Sequence, residues 1–516
     1  MNDYSTQDTL ELEVTNFGPV VEAKIDLRPL TVFVGPSNTG KSYLAILIYA
    51  LHRYFSGGRH DRRFAHLSHR LFTSREKALS KKSIDALIKW WEQEFGNKEK
   101  QNSLSNFKKK VEDKKTVTLP GSVTKLIQSL FDAQGDSLSL ELGRCFGSDV
   151  SELIQKKSES DARIIVRQRL SSNSVHFEHG LTFGSGKKKL KTTVPEELKI
   201  ELGIHEHNFG FYEVFELMQR RNLGLDEFET NFILRRLLEI LTYLALPHLL
   251  GPFHRPAFYL PADRTGVMHA HSVVVSALLE SASMTGLRPA ARTPMLSGVL
   301  ADFLEQLLEL DNPQYRRRKS SEDIGKRIEQ TILRGSVDLE RAETSGYPRF
   351  TYRPVGWEDS LPLMNASSMV SELAPVVLYL RHKVILGDVL IVEEPESHLH
   401  PAMQVEFTRQ IAALIRSGIR VILTTHSEWV LEELANIVRR SELTKNQRKQ
   451  VSDSDIALRP DQVGAWLFKP EDDYEGSKVT EILLDDSGLY PAGFDEVAAA
   501  LHNDWADISS RTGESE

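Results

Sequence analysis

The chain has 516 residues, 40% of them hydrophobic and 26% charged, with a formal net charge of −8; this is the composition of an ordinary soluble globular protein of roughly two to four domains' worth of mass, and it excludes a globally basic nucleic-acid binder while leaving a local basic patch open. One cysteine, Cys145, excludes an internal disulfide framework and a cysteine zinc site and fits a reducing cytoplasmic setting. No apolar run of roughly 20 residues marks a membrane span, and the polar, acidic residues 1–12 lack the basic start and apolar core of a signal peptide.

In chain order, Leu10, Leu12 and Val14 alternate with Glu11 and Glu13, the period of a half-buried strand. Residues 30–34 are short, apolar and β-branched, as a buried central strand requires. A turn-rich loop follows, and then Leu44, Leu47, Ile48 and Leu51 at helical spacing. Residues 55–250 read as one large, mostly helical insertion with a small β element. Within it, 84–95 predicts a helix, 213–250 another, and Val175, Phe177 and 187–193 a hairpin. The stretch 59–115 is rich in Lys and Arg, with basic runs at Lys108, Lys109 and Lys110 and at Lys114 and Lys115. It is either a solvated helical face or a grip for nucleic-acid phosphates. Neither sustained heptads nor an internal repeat is present. From Ala257 the sequence predicts a strand at 258–260, a helical region over 273–332 with a charged stretch at 316–319, and strands at 350–353, 389–392 and 421–423. An alternating segment at 479–483 and a helix at 494–501 follow. Residues 509–516 read as disordered. The expected division is 1–55 as the first lobe of a head, 56–256 as the insertion, 257–502 as the rest of the head, and 503–516 as a disordered tail.

Four motifs carry chemistry, one of them the stretch 396–401 that directly follows the paired carboxylates. Gly35, Pro36, Ser37, Asn38, Thr39, Gly40, Lys41 and Ser42 form a G-x-x-x-x-G-K-S loop between a strand and a helix. Its glycines let backbone N–H groups wrap a phosphate, Lys41 reaches the β- and γ-phosphates, and Ser42 is placed to ligand Mg²⁺. The apolar run 390–392 ends in Glu393 and Glu394. Phosphoryl transfer needs one carboxylate near the metal and a second group on the attacking water. These roles fall to Glu393 and Glu394 respectively. His426, at the end of the strand 421–425, is positioned to donate a hydrogen bond to a γ-phosphate.

Together these motifs resemble the ABC-type ATPase superfamily, in the branch of the SMC, RecF and OLD-family ATPases. The resemblance covers roughly 10–55 and 257–500 and leaves the insertion unaccounted for. It implies an α/β fold: an ABC-type P-loop ATPase head, a mixed β-sheet core flanked by helices, with ATP and Mg²⁺ as cofactors. It also implies a head-to-head homodimer or higher homo-oligomer in which the signature motif of one subunit caps the ATP of the other. Residues 366–372, with Ser367, Ser368 and Ser371 opening a helix, stand at that position, although the family's glycines are replaced by Met369 and Val370. The bland alternative is an ordinary helix cap. Arg264 is read as a phosphate or partner contact, or equally as a salt bridge. The OLD-family nuclease domain is not expected in the fewer than 100 residues after His426. Standalone ATPases of this kind are similar to the ATPase subunits of bacterial anti-phage defence systems, which implies a separate toxin or nuclease effector. The alternatives are a DNA-maintenance ATPase gripping duplex through 59–115, an ATP-stabilised scaffold, and a transporter nucleotide-binding subunit. No membrane contact by the chain itself is expected.

Overall fold

The computed structural model describes residues 9–56, 81–94, 116–132, 135–155, 160–170, 175–184, 188–201, 227–283, 296–310, 321–341, 348–448, 450, 456–471, 476–483, 488–489 and 494–513. In chain order the strands are β1 (Thr9–Phe17), β2 (Val20–Asp26), β3 (Leu30–Val34), β4 (Thr116–Leu119), β5 (Ala162–Arg169), β6 (Val175–Phe183), β7 (Lys189–Thr193) and β8 (Leu198–Glu201). They continue with β9 (Ala257–Leu260), β10 (Gly335–Arg341), β11 (Pro348–Pro354), β12 (Leu361–Pro362), β13 (Val389–Glu393), β14 (Arg420–Thr425), β15 (Val463–Pro470) and β16 (Ser477–Ile482). The chain divides into two compact units: Met1–Phe17, Ala50–Gly143 and Asp149–Pro256 form one, and Gly18–Tyr49, Arg144–Ser148 and Ala257–Glu516 form the other.

The second unit is built on strands in the order β2-β16-β15-β3-β14-β13-β9. β3, β14, β13 and β9 run parallel, β15 joins β3 in parallel, and β16 folds back antiparallel on β15 before pairing parallel with β2. It is therefore a mixed sheet. Every residue of β3, β13 and β9 is buried, which explains their unbroken apolar runs: parallel strands covered on both faces have no polar side. Helices Ser368–His382, Pro401–Arg416 and Glu428–Glu442 contribute to this core through Leu373, Val377, Phe407, Ile411, Leu434 and Ile437. A small antiparallel sheet, β10-β11-β12, packs with them. The register sets Val34 opposite Thr425, and Thr424 opposite Glu393. Three strands thus end side by side, and the loops beyond their carboxyl ends converge, the usual place for a ligand in an open α/β sheet.

The first unit contains an antiparallel ladder β7-β6-β5-β1 and a two-stranded pair β4-β8. Its helices include Lys81–Glu94, Gly121–Asp132 and Glu227–Leu250. Its core is aromatic: Phe55, Phe131 and Phe177 surround His179 at centroid distances of 5.2, 5.8 and 6.2 Å. His179 Nδ1 lies 3.0 Å from Thr192 Oγ1, and complete burial pushes its pKa down to about 3.

Several expectations meet the structure here. The helices at 84–95 and 213–250 appear as Lys81–Glu94 and, within the described residues, Glu227–Leu250, and the hairpin as β6 and β7. The basic runs at Lys108–Lys110, Lys114 and Lys115, and the charged stretch 316–319, lie outside the described residues. The β element of the insertion runs from β4 to β8, and along β6 every second residue from Phe177 to Phe183 is buried. β1 groups with this unit, and the boundary falls at Tyr49/Ala50, inside the helix Lys41–Ser56. The tail expectation needs correction. A helix, Phe494–Gly513, runs through most of it. Its polar composition hid the helical spacing of Leu501, Trp505 and Ile508, which are exposed.

Candidate functional site

The loop of residues 35–42 joins β3 to the helix Lys41–Ser56. Its two glycines are required by geometry. Gly35 sits at φ +140°, where a Cβ would lie 2.5 Å from Phe468 O, and Gly40 at φ +99°, where a Cβ would lie 2.8 Å from Val20 Cγ2. Asn38 is left-handed at φ 63°, and Thr39 Oγ1 donates to Pro36 O at 2.8 Å. Lys41 curls back and donates to Gly35 O at 2.8 Å and Pro36 O at 2.7 Å. Burial lowers its pKa to about 8, against the pull of Glu394, Glu396 and Glu393. The ammonium thus sits inside the loop, held by neutral carbonyl acceptors that an anion would displace.

β13 delivers the two carboxylates to this loop. Glu393 is buried, and burial raises its pKa, while the Ser42 and Tyr259 hydroxyls and the Ala262 N–H oppose the shift. Its Oε2 accepts from Ala262 N at 3.3 Å, and its Oε1 closes no hydrogen bond. Glu394 is the strained residue of the site: its φ is 42°, a region that non-glycine residues occupy only when their surroundings fix them. Its N–H donates to Thr424 O at 2.9 Å and to Thr424 Oγ1 at 3.2 Å. The strain turns its side chain outward: it is 41% exposed and lies 3.7 Å from His426 Nε2, itself 35% exposed. Burial first, and Lys41 next, lower the pKa of His426, so the ring is neutral at physiological pH.

Sequence reasoning singled out the stretch 396–401 but gave Glu396 no role of its own. Its Oε1 accepts from Thr425 Oγ1 at 2.8 Å and from His426 N at 2.6 Å, and burial raises its pKa. It therefore ties the carboxylate loop to the histidine loop. A Glu within Glu-Pro-Glu reads as a surface turn, and nothing local in the sequence shows that it reaches across to β14. The residues after it form a tight loop, with His398 left-handed at φ 62° and His400 capping the helix Pro401–Arg416 through Ala402 N. Ser427 Oγ donates to Gln404 Oε1 at 2.5 Å, which ties the histidine loop to the helix Pro401–Arg416.

The structure thus brings Gly35 to Ser42, Glu393, Glu394 and His426 to one edge of one sheet. The serines separate. Ser367 caps the helix Ser368–His382 by accepting from Val370 N at 3.4 Å, and Ser367 and Ser368 are exposed. Ser371 is fully buried and donates to Leu363 O at 3.2 Å. Its side chain points inward and does not share the surface of the other two. It falls in the stretch Val370 to Leu380, every residue of which is buried. Arg264 is also fully buried; it forms a salt bridge with Glu372 and has no exposure to phosphate solvent or to a partner surface.

The donors present suit a hard divalent cation: Ser42 Oγ beside the buried Glu393 carboxylate, whose Oε1 has no hydrogen bond. Among the described residues no cluster of three or more His, Cys, Asp or Glu could hold a metal alone. A cation here would share its ligands with bound phosphates.

Residues 276–432, under a third of the chain, match the family described as "AAA domain, putative AbiEii toxin, Type IV TA system". No curated protein matches in sequence. Among solved structures, the chain is similar to an SMC head domain from Thermotoga maritima at 10% identity and TM-score 0.36, covering 92% of this chain and 100% of that one. It is also similar to an Smc head domain with an extended coiled coil bound to the C-terminal domain of ScpA, derived from Pyrococcus furiosus, at 10% identity and TM-score 0.36, covering 93% and 98%. A phosphate loop on β3, a histidine on the adjacent β14 and paired carboxylates on β13 stand together at one sheet edge, an arrangement similar to that of ABC/SMC-like P-loop ATPases.

Proposed function

We propose that the protein binds ATP with Mg²⁺ in the 35–42 loop and hydrolyses it with Glu394 as the group that orients and deprotonates water. The observation that carries this is the Glu394 backbone: a strained φ of 42° aims the carboxylate at His426, clear of the buried Glu393. The nested N–H groups and Lys41 take the phosphates, and Ser42 and Glu393 hold the cation, which would supply charge neutralisation for the transferred phosphoryl group. His426, neutral and anchored by Glu396, is a hydrogen-bond donor for the terminal phosphate.

Two features support a composite site in a homodimer. Glu394 and His426 stay partly exposed at the edge where the phosphate would end, and Ser367 and Ser368 are exposed at a helix N-terminus. A second head would supply the missing cap. The described residues show no further catalytic constellation, so we assign the output to a separate effector and the protein to ATP-driven regulation in bacterial anti-phage defence. The toxin–antitoxin description of the matched family supports this. The DNA-maintenance reading rests on 59–115, largely outside the described residues.

Purified native protein and Glu394→Gln, compared by light scattering with and without ATP·Mg²⁺ and by phosphate release, test the reading. The expected variant retains ATP, loses about a hundredfold or more in turnover and forms a more stable dimer. Turnover equal to native sinks the assignment of Glu394. A mass that ignores ATP in both proteins sinks the dimer and leaves a constitutive scaffold.

A further inference from the structure

Arg264 leads the fully buried side chains in volume among the described residues, and it uses its whole guanidinium. Nε donates to Glu372 O at 3.1 Å, Nη1 to Pro261 O at 3.0 Å and Glu393 O at 2.6 Å, and Nη2 to Glu394 O at 3.3 Å. Nη2 also pairs with the Glu372 carboxylate, which accepts in addition from the Thr265 hydroxyl. One residue earlier, Ser371 Oγ lies 3.1 Å from His269 Nε2, so the helix Arg264–Ser283 grips the helix Ser368–His382 at successive residues. A desolvated guanidinium persists only when its acceptors are in place, and here the acceptors belong to two functional elements. On one side are the carbonyls of both site carboxylates, including the strained Glu394. On the other is Glu372, one turn inside the helix whose N-terminus is exposed at Ser367 and Ser368.

We propose that Arg264 is a positioning residue that couples the N-terminus of the Ser368–His382 helix to the backbone of Glu394, so that docking of a second head's nucleotide on Ser367 and Ser368 sets the water-activating carboxylate of the same subunit. The proposal rests on the ATPase reading above. Its physical basis is that a rigid, planar group with acceptors on both sides cannot follow one element without displacing the other. A misplacement of about 1 Å at a reacting group costs up to about a hundredfold in rate.

Two variants test this. Arg264→Lys keeps the charge and loses the fork. Glu372→Gln keeps the shape and loses the ion pair, and carries the test alone if Arg264→Lys does not fold. Binding of a fluorescent ATP analogue, kcat and KM for phosphate release, and ATP-dependent mass in a Glu394→Gln background are measured for each. The expected result is nucleotide binding and KM within about twofold of native, an intact ATP-dependent dimer and kcat lowered about tenfold or more, with the double variant no worse than the weaker single one. A kcat within about twofold of native in the folded variants overturns the coupling. So does joint loss of binding, dimer and kcat, which marks a merely structural role. If the native protein releases no phosphate, the ATPase reading falls and the coupling with it; native turnover with unaffected variants removes the coupling alone.

Discussion

At the scale of single residues, the site works by placing each charged group in a different environment. Glu393 is buried against hydroxyls, Glu394 is turned out by a left-handed backbone, and Glu396 is spent on Thr425 and the His426 N–H. Glu396→Ala therefore removes the anchor of the histidine loop and leaves every phosphate contact in place. The expected outcome is a kcat about tenfold to a hundredfold lower with nearly unchanged ATP affinity, read by steady-state kinetics beside equilibrium nucleotide binding. An equal fall in affinity would show that Glu396 shapes the phosphate loop instead. The loop glycines, Lys41 and the paired carboxylates were legible because their spacing is dictated by the phosphate itself. The role of Glu396 was not, because its partners Thr425 and His426 lie 29 and 30 residues away in the chain, and the salt bridge open to Arg264 gained its partner, Glu372, 108 residues on, only from the fold.

At the scale of elements, the helix Ser368–His382 separates residues that the sequence groups together. Ser367 is at its cap and Ser371 in its core. Ser367→Ala loses a cap worth about 1 kcal/mol and, on the composite-site reading, weakens the ATP-dependent dimer. Ser371→Ala leaves Leu363 O without its hydroxyl donor, costs about 1–3 kcal/mol of stability, and leaves the docking surface in place. Light scattering with ATP and thermal melting separate the two; a dimer unaffected by Ser367→Ala would remove that residue from the cap. Strands β3, β9, β13 and β14 of the second unit were readable as apolar runs, and the helix Lys41–Ser56 as a periodic one. The helix Phe494–Gly513 was readable over 494–501 only, since Leu501, Trp505 and Ile508 are exposed and set among polar residues. The ladder of the first unit was not. There Arg167 bridges Glu11, Glu13 and Glu178 across β5, β1 and β6, a pattern visible only once the strands are paired.

At the scale of the molecule, each unit has its own core, and they should respond differently to acid. His179 is neutral within the aromatic core of the first unit. Its pKa is about 3 when folded and near 6.5 when exposed. The unfolded chain therefore takes up the proton first as pH falls. Stability is fully present above about pH 6.5 and is lost at roughly 1 kcal/mol per pH unit down toward pH 3. Urea unfolding followed between pH 7 and 4 should show this slope, and His179→Phe should flatten it. An identical slope in the variant would assign the acid sensitivity to other groups.

The parallel pairings of the second unit also constrain how the chain is made. Leu30 pairs with Val421 on one side and Val463 on the other, each roughly four hundred residues further along. At ordinary synthesis rates, the fully buried β3 waits on the order of 20–80 s for its neighbours to leave the ribosome. During that interval both of its edges are open to wrong partners, so the strand that ends in the phosphate loop is also the segment on which a newborn chain most depends for shelter by a chaperone.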